Sequence, residues 1–515
     1  MSAYTENFES GPGNNEKLHS KQGDKVTEGG VDETLANSEN EHDSNKEGSN
    51  VKNESGEVNE PGPFMSRTRK NSQQQMEYDY MLEKQTKGVE KFSKLGWFQL
   101  VVILIVEAIA LGSLSIPSAF ATLGMVAGVI ITVGFGFIAI YTSYVVGQVK
   151  IKYPQVQHYS DVGPLLGGNG FFGKFLRELF SVMFALQLIL LVGSHCLTGT
   201  IAFGTITEWP ICSLIFGVVS AVLLFACAVP PSFAEMAILG YIDFVSIIAA
   251  ILITLIATGI NANKAPGSFS SVDWRALPPP NTTFAEAMVA VTNIVFAYSF
   301  AVCQFSFMEE MHTPTDFPKS IWVLGLTEIL IYTVTGAVGY AFVGQSVKSP
   351  ALLSAGKLIS KIAFGVALPV IFISGSINTV TVCRFLMDRI FKKSVIKYVN
   401  TVKGWSVWLL MIGIVTVVAW VIAEAIPFFS SLLGLISSLF ISGFSIYLPG
   451  FLWLKVIREG GCFSSAKNTT LTIMNVACIA MGFLVLVGGF YGSVVSIKDS
   501  FNSGTVGSAF TCDPI

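Results

Sequence analysis

Long apolar stretches alternate with short polar ones along this chain. The first covers 97–120, WFQLVVILIVEAIALGSLSIPSAF, and others follow at 125–149, 175–203, 212–229, 237–260, 285–308, 320–343, 361–386, 404–426, 429–454 and 471–494. Each approaches the roughly 20 residues that a helix needs to cross about 30 Å of hydrocarbon. The pattern therefore predicts an all-α polytopic membrane protein with eleven transmembrane helices. Ahead of the first run, Asp, Glu, Ser, Asn and Gly dominate and aromatics are scarce. Such a segment cannot bury enough surface to offset its chain entropy. The expected organisation is a disordered acidic cytosolic tail over 1–94, a transmembrane domain over 95–494 and a short extracellular C-terminal tail over 495–515. The first apolar run begins too late for a cleavable leader, so span one is expected to act as its own insertion signal.

Composition agrees with the pattern. Hydrophobic residues make up 51% and charged residues 13% of the chain, with a mean hydropathy of +0.59, whereas an ordinary soluble domain is about 25% charged. The net charge of -3 matters less than where the charges fall. An odd number of spans puts the termini on opposite faces. With the N-terminus inside, the inner loops collect Lys84, Lys87, Lys91, Lys94, Lys150, Lys152, Lys174, Arg177, Lys319, Arg384, Arg389, Lys392, Lys393, Lys397, Lys403, Lys455, Arg458 and Lys467. The outer loops hold Lys264, Arg275, Lys348, Lys357, Lys361 and Lys498. This excess of about three to one favours a cytosolic N-terminus. The sequon Asn281-Thr282-Thr283 falls on the same predicted exterior, between spans five and six, and makes Asn281 a candidate glycosylation site. Cys196, Cys227, Cys303, Cys383 and Cys478 sit inside apolar runs and read as small hydrophobes. Cys212 and Cys512 could face the oxidising exterior, although no spacing motif calls for a disulfide between them. There is no GxxxxGK[ST] loop for nucleotide-driven pumping, and neither a metal, an organic cofactor nor a nucleic-acid partner is implied.

Two features of span one cost free energy in lipid. Glu107 puts a carboxyl in the apolar run, at roughly 2.5–3.5 kcal/mol on insertion scales. The stretch Gly112-Ser113-Leu114-Ser115-Ile116-Pro117 is expected to break the helix, freeing backbone groups that must face protein or a water-lined cavity. A simple anchor needs neither feature. The plainer alternative is a Pro-kinked helix packed through small residues.

The string LGSLSIPSAFATLG in span one, KIKYPQVQHYSDVGPLLGG after span two and FAYSFAVCQFSFMEEMHTPTDFPKSIW at the exit of span six together resemble the amino acid/auxin permease family, in particular its fungal neutral amino acid permeases. The resemblance covers roughly 92–494. It implies a leucine-transporter-type inverted repeat of five plus five helices with one added span, in which the first and sixth spans are discontinuous and hold the substrate near the midplane. It also implies secondary active import of neutral aliphatic and aromatic amino acids across the plasma membrane. Span one carries its break openly. In span six, Phe296-Ala297-Tyr298-Ser299-Phe300-Ala301 has no Gly where relatives often carry one, so unwinding there is an expectation taken from the family alone.

A zwitterionic cargo needs fixed polar groups for its carboxylate and its ammonium before it can leave water. The expected carboxylate partners are freed N–H groups of Ser113, Leu114 and Ser115, at the positive end of the half-helix that follows. Freed carbonyls of Ala110, Leu111 and Phe296, around the break at Gly112, would take the ammonium. Tyr298, Ser299 and Phe300, with Gln187 and Ser194 in span three, are candidates for selecting the side chain, although aromatic residues in membrane helices more often simply pack.

Coupling has two candidate sets. Ser374, Gly375, Ser376, Asn378 and Thr379 in span eight offer oxygens for sodium. Glu107, about 7–8 Å along the helix from Gly112 at 1.5 Å per residue, offers a titratable group, and carboxyls removed from water hold protons more tightly. Proton symport through Glu107 is the leading expectation, sodium the lesser one, and a purely structural carboxyl the alternative. His195 could relay protons or bond helix to helix. Asp243 and Glu328 read as gate or interfacial groups nearer the cytosol, Glu309 and Glu310 as a water-exposed cluster beside His312 and Lys319, and Glu424 as capped or solvated. Basic residues alternating with Phe391, Val395, Ile396 and Tyr398 predict an interfacial helix over 384–403. Lysines in the tail would suit ubiquitin-ligase machinery. Rival readings are a vacuolar exporter of the same fold, a nutrient receptor signalling through its tail, and a membrane enzyme, for which His195 lacks partners.

Overall fold

The computed structural model describes residues 95–207, 211–392 and 394–503, with Glu83, Phe510 and Cys512. The expectations for the N-terminal tail, its ubiquitin partner included, and for most of the chain beyond 503 lie outside the described residues. The principal helices are α1 (Trp97–Leu123), α2 (Met125–Lys152), α3 (Phe171–Thr207), α4 (Ser213–Cys227), α5 (Phe233–Lys264), α6 (Phe284–Ala297), α7 (Gln304–Glu309), α8 (Phe317–Val343), α9 (Lys357–Ile390), α10 (Val402–Ala425), α11 (Phe429–Ile457) and α12 (Ala466–Asn502). Among the described residues nine helices are long and apolar enough to cross a membrane, and α4 and α6 are shorter apolar helices. They fall on the expected apolar runs one for one, with α6 and α7 sharing the sixth. Several outrun the expected ends, as α12 does by continuing to Asn502, because hydropathy marks the lipid-crossing part while polar residues continue the helix beyond it.

Burial sorts these helices. The apolar window of α1 is 100% buried, against 33% for α2 and for α12, so α1 is an interior element while its neighbours carry lipid-facing stripes such as Ile130 and Phe137 on α2. A helix apolar on every side can be covered only from every side. Helices α5, α6, α8 and α9 all pack against α1.

Loop contacts gather at two ends. At one, Met125 and Val126 N–H groups donate to the Arg275 and Ala276 carbonyls (2.9 and 3.0 Å), and the Gln345 N–H donates to Asp273 (3.0 Å). The α1–α2 turn is closed by Gly124 at φ +77°, where a Cβ would stand 2.5 Å from the Leu277 carbonyl carbon, so both conformation and space require glycine. At the other end, the Leu95 N–H donates to Glu310 (2.9 Å) and the His312 N–H to Leu95 (3.0 Å). Cys212, just before α4, and Cys512, beyond α12, form a disulfide.

Two expectations are corrected here. The break expected over Gly112–Pro117 is not present, and α1 runs as one helix through it. Nor does an interfacial helix cover 384–403. Instead α9 continues to Ile390, and a single short turn, Val395–Tyr398, precedes α10. Val395 is buried and Lys397 Nζ stands 3.7 Å from Asp388, so this segment packs on the protein instead of lying in lipid; Lys393 is outside the described residues.

Candidate functional site

The sixth apolar run is the one that opens. Thr283 caps α6: its hydroxyl accepts the Glu286 N–H (3.2 Å) while Glu286 Oε2 accepts the Thr283 N–H (2.8 Å), a reciprocal arrangement that fixes the helix start. The helix stops at Ala297 and resumes as α7 at Gln304. Between them the Tyr298 N–H donates to Val295 (3.2 Å) and the Val302 N–H to Ser299 (3.0 Å), turns that replace the helical ladder. Glycine is not needed for this, because Tyr332 Oη on α8 donates to the Ala297 carbonyl at 3.0 Å and substitutes for the missing helical N–H. The Phe296 carbonyl is in the last turn of α6, and its helical donor would be the N–H of Phe300, which lies past the helix end. Every residue from Tyr298 to Cys303 is at most 5% exposed.

α1 passes close to this break. A Cβ on Gly112 would lie 2.8 Å from the Ala297 Cα and 3.4 Å from Tyr332 Oη, so the glycine serves close approach and does not unwind its own helix. The serines around it turn back on α1: Ser113 Oγ donates to Ile109 (2.7 Å), Ser115 Oγ to Gly112 (2.9 Å) and Ser118 Oγ to Ser115 (2.8 Å). Pro117 supplies no N–H, which leaves the Ser113 carbonyl without its helical donor. The N–H groups of Ser113, Leu114 and Ser115, expected to be free for a carboxylate, are therefore within the helix, as are the Ala110 and Leu111 carbonyls. What α1 offers is an oxygen. Ser113, Leu114 and Pro117 line a narrow cleft with Thr254 and Thr258 of α5 and Thr335 and Gly339 of α8.

Glu107 lies one and a half turns before Gly112, 9% exposed, with the Cys303 thiol against its carboxyl and Oε2 without a hydrogen-bond partner. Glu328, expected as a gate or interfacial group, is instead fully buried on α8, one turn before Tyr332. Neither of its oxygens has a hydrogen-bond partner. The Tyr298 and Tyr332 rings meet edge to face with centroids 5.1 Å apart. Tyr332, Cys303 and Glu328 were missed as site residues. The spacing Glu328 to Tyr332, four residues and so one helix face, was the available signal.

The span-eight candidates are buried, but their polar groups mostly serve α9 itself. Ser376 Oγ donates to Ile373 (2.7 Å), Thr379 Oγ1 to Gly375 (3.0 Å) and Asn378 Nδ2 to Ser374 (3.2 Å). Ser374 Oγ lies 3.4 Å from His195 Nε2 on α3, so His195 joins helix to helix. Gln187 is buried without a partner, Ser194 Oγ bonds back to Leu190 (3.1 Å), and Asn281 is exposed in the α5–α6 loop.

Of the acids at the end of α7, Glu309 is exposed, as expected, but Glu310 is not. Glu310 is 1% exposed, pairs with Arg384 and accepts the Phe233 N–H at 3.2 Å. Glu309 pairs with Lys150, whose Nζ also donates to the Pro154 and Val156 carbonyls (3.0 and 2.7 Å). His158 reaches Ser306 (2.9 Å) and Asp388 (3.3 Å), while Lys319 turns to Asp316 (2.7 Å). Lys150, on the last turn of α2, thus brings a cation to the end of α7, and His158 in the loop that follows reaches the same helix through Ser306. Glu424 is 8% exposed, so it is more enclosed than a solvated helix end.

The profile of the family described as transmembrane amino acid transporter protein matches residues 93–495. A Neurospora crassa relative, N amino acid transport system protein, is 57% identical over 430 residues, 83% of this chain and 90% of its own length. Amino acid permease 1 of Arabidopsis thaliana is 22% identical over 78% of this chain and 90% of its own. A solved structure, MhsT in complex with L-phenylalanine, matches over 80% of this chain and 99% of its own at 12% identity and a TM-score of 0.48, a likeness too distant to carry an argument.

Proposed function

The chain belongs to the transmembrane amino acid transporter family, and from that premise we propose that it imports neutral aliphatic and aromatic amino acids across the plasma membrane by proton symport. It is a multi-pass membrane protein and a transporter, not an enzyme. The observation that carries the finer reading is the buried break at Tyr298–Cys303, packed on Gly112 and beside Glu107. In this reading the Phe296 and Ser113 carbonyls receive the substrate ammonium. Its carboxylate is met by backbone N–H groups of Ser299, Phe300 and Ala301, and Tyr298 and Phe300 line an uncharged side-chain pocket. Glu107 carries the coupling proton. Because the break is buried, loading requires the helices around it to part, which is the form alternating access takes here.

The proposed topology has eleven crossings, N-terminus in the cytosol, arranged as five plus five helices and one more. The Cys212–Cys512 disulfide supports it, since eight crossings from α4 to α12, with α6 and α7 counted as one, return the chain to the same oxidising face. A glycan removed by Asn281→Gln would mark that face as exterior, and surface labelling would separate a plasma-membrane carrier from a vacuolar one. The deciding experiment is uptake of radiolabelled leucine, phenylalanine and lysine by transport-deficient cells expressing the chain, across outside pH and with sodium replaced. The expected result is uptake of leucine and phenylalanine but not lysine, rising as outside pH falls and unchanged without sodium. Uptake that needs sodium and ignores pH would overturn proton symport.

A further inference from the structure

Tyr159, in the loop after α2, is fully buried, its ring meeting Phe305 of α7 edge to face at 5.1 Å and Phe444 of α11 at 4.7 Å. Its neighbour His158 reaches Ser306, also on α7. One turn of loop therefore touches both the far side of the span-six break and α11. Where it meets α11 the helix is wide: Ser437–Tyr447 is a π-helix 11 residues long, whereas such helices mostly occur as single-turn bulges, frequently at functional sites. In a π-helix each carbonyl accepts the N–H five residues on, and the Leu448 N–H accordingly donates to Gly443. The next carbonyl, that of Phe444, would need the N–H of Pro449, and proline has none. The Tyr159 hydroxyl donates to that carbonyl instead.

The other face of the π-helix is fixed by α12, which approaches it through glycines. A Cβ on Gly489 would lie 2.9 Å from the Ser438 Cβ, and one on Gly482 would lie 2.9 Å from the Tyr447 Cβ. Just beyond, a Cβ on Gly450 would lie 2.9 Å from the Asn475 carbonyl oxygen. The segment cannot rewind to find Phe444 another donor without disturbing these contacts, so the buried carbonyl depends on Tyr159. Directly after Phe444, Ser445 and Ile446 line a small cavity with Val295 and Tyr298 of the sixth run. Tyr298 and Ser445 are each 2% exposed, and neither hydroxyl has a hydrogen-bond partner. Resting on the reading that Tyr298 lines the substrate side-chain pocket, we propose that Tyr159 is a positioning residue for that pocket. Its hydroxyl supplies the donor that Pro449 lacks, and so holds Ser445 and Ile446 against Tyr298 as the far wall. With the Phe444 carbonyl unmet, this wall moves in search of a donor, and substrate binding weakens while the helix movements of turnover are kept.

The test uses the full chain, purified and reconstituted in liposomes, with radiolabelled leucine as the probe. Leucine counterflow gives KM and the maximal rate, and hydrogen exchange read by mass spectrometry reports on the backbone over 444–450. Tyr159→Phe keeps the ring and removes the donor. It is expected to raise the leucine KM about tenfold with the maximal rate within about twofold, as for lost substrate binding, and to speed exchange over 444–450. Pro449→Ala places an N–H where the Phe444 carbonyl needs one, so the double variant Tyr159→Phe with Pro449→Ala is expected to return both KM and exchange to near the wild-type values. A wild-type KM in Tyr159→Phe would overturn the proposal. So would a double variant no better than the single one, because a backbone N–H repairs a missing donor and does not repair lost ring packing. If Tyr159→Phe does not fold, the double variant decides: folded protein with a wild-type KM supports the role of the bond, and continued failure refutes it. Absence of leucine counterflow in the wild-type protein would refute the substrate reading of Tyr298 and the pocket role together, whereas wild-type counterflow with an unrescued variant refutes the role of Tyr159 alone.

Discussion

A methyl group added at Gly112 would stand 2.8 Å from the Ala297 Cα, and backbone cannot give way as a flexible side chain can. Gly112→Ala is therefore expected to cost about 1–3 kcal/mol through overpacking and to reduce uptake, which a melting curve of the purified protein and an initial uptake rate together would check. Tyr332→Phe keeps the ring but strips the donor from the Ala297 carbonyl. The loss of that buried bond is expected to cost about 1–3 kcal/mol. Misplacement of the break should slow uptake by about ten- to a hundredfold, read as a uptake defect in protein that still folds and reaches the membrane. At this scale Glu107 was legible in the sequence, because a charge inside an apolar run is conspicuous. Gly112 was misread, since a glycine near a proline looks the same whether it unwinds its helix or lets another approach. The residue that distinguishes the two, Ala297, is 185 positions away.

Among the elements, the contrast between the first and sixth apolar runs is the most informative. α1 contains both Gly112 and Pro117 and stays helical, because one missing N–H costs one bond and the serine hydroxyls bond back to carbonyls about one turn earlier in the same helix. The sixth run has no helix breaker between Phe296 and Cys303 and opens nonetheless. Tyr332 reaches the end of α6 from α8, and the far side of the opening, α7, is held by Glu309 with Lys150 and Glu310 with Arg384. A local propensity is thus overridden by partners from other helices. Arg384→Ala would leave Glu310, 1% exposed, as a buried carboxylate without its cation. The expected loss is about 3–5 kcal/mol, seen as a lower melting temperature in detergent. Adding Glu310→Gln should recover most of it by removing the uncompensated charge.

For the whole molecule, the disulfide joins two segments 300 residues apart in sequence. If a protease site is placed in the exposed loop carrying Asn281, the two fragments produced by cleavage are expected to migrate together without reductant and to separate after reduction. Cys212→Ser should separate them in both conditions, with gel mobility as the measurement. The membrane class, the order of the apolar helices and the presence of a costly carboxyl in the first of them were determined by the sequence alone, because hydrophobic length and charge within a run are local properties. Tertiary structure decided which run opens, which acids are enclosed and which of them are paired. Those outcomes depend on groups that meet only after folding: Tyr332 with Ala297, Arg384 with Glu310 and Cys212 with Cys512. Each partner satisfies or perturbs a buried polar group, and in a low-dielectric interior that energy outweighs the local preference of the chain.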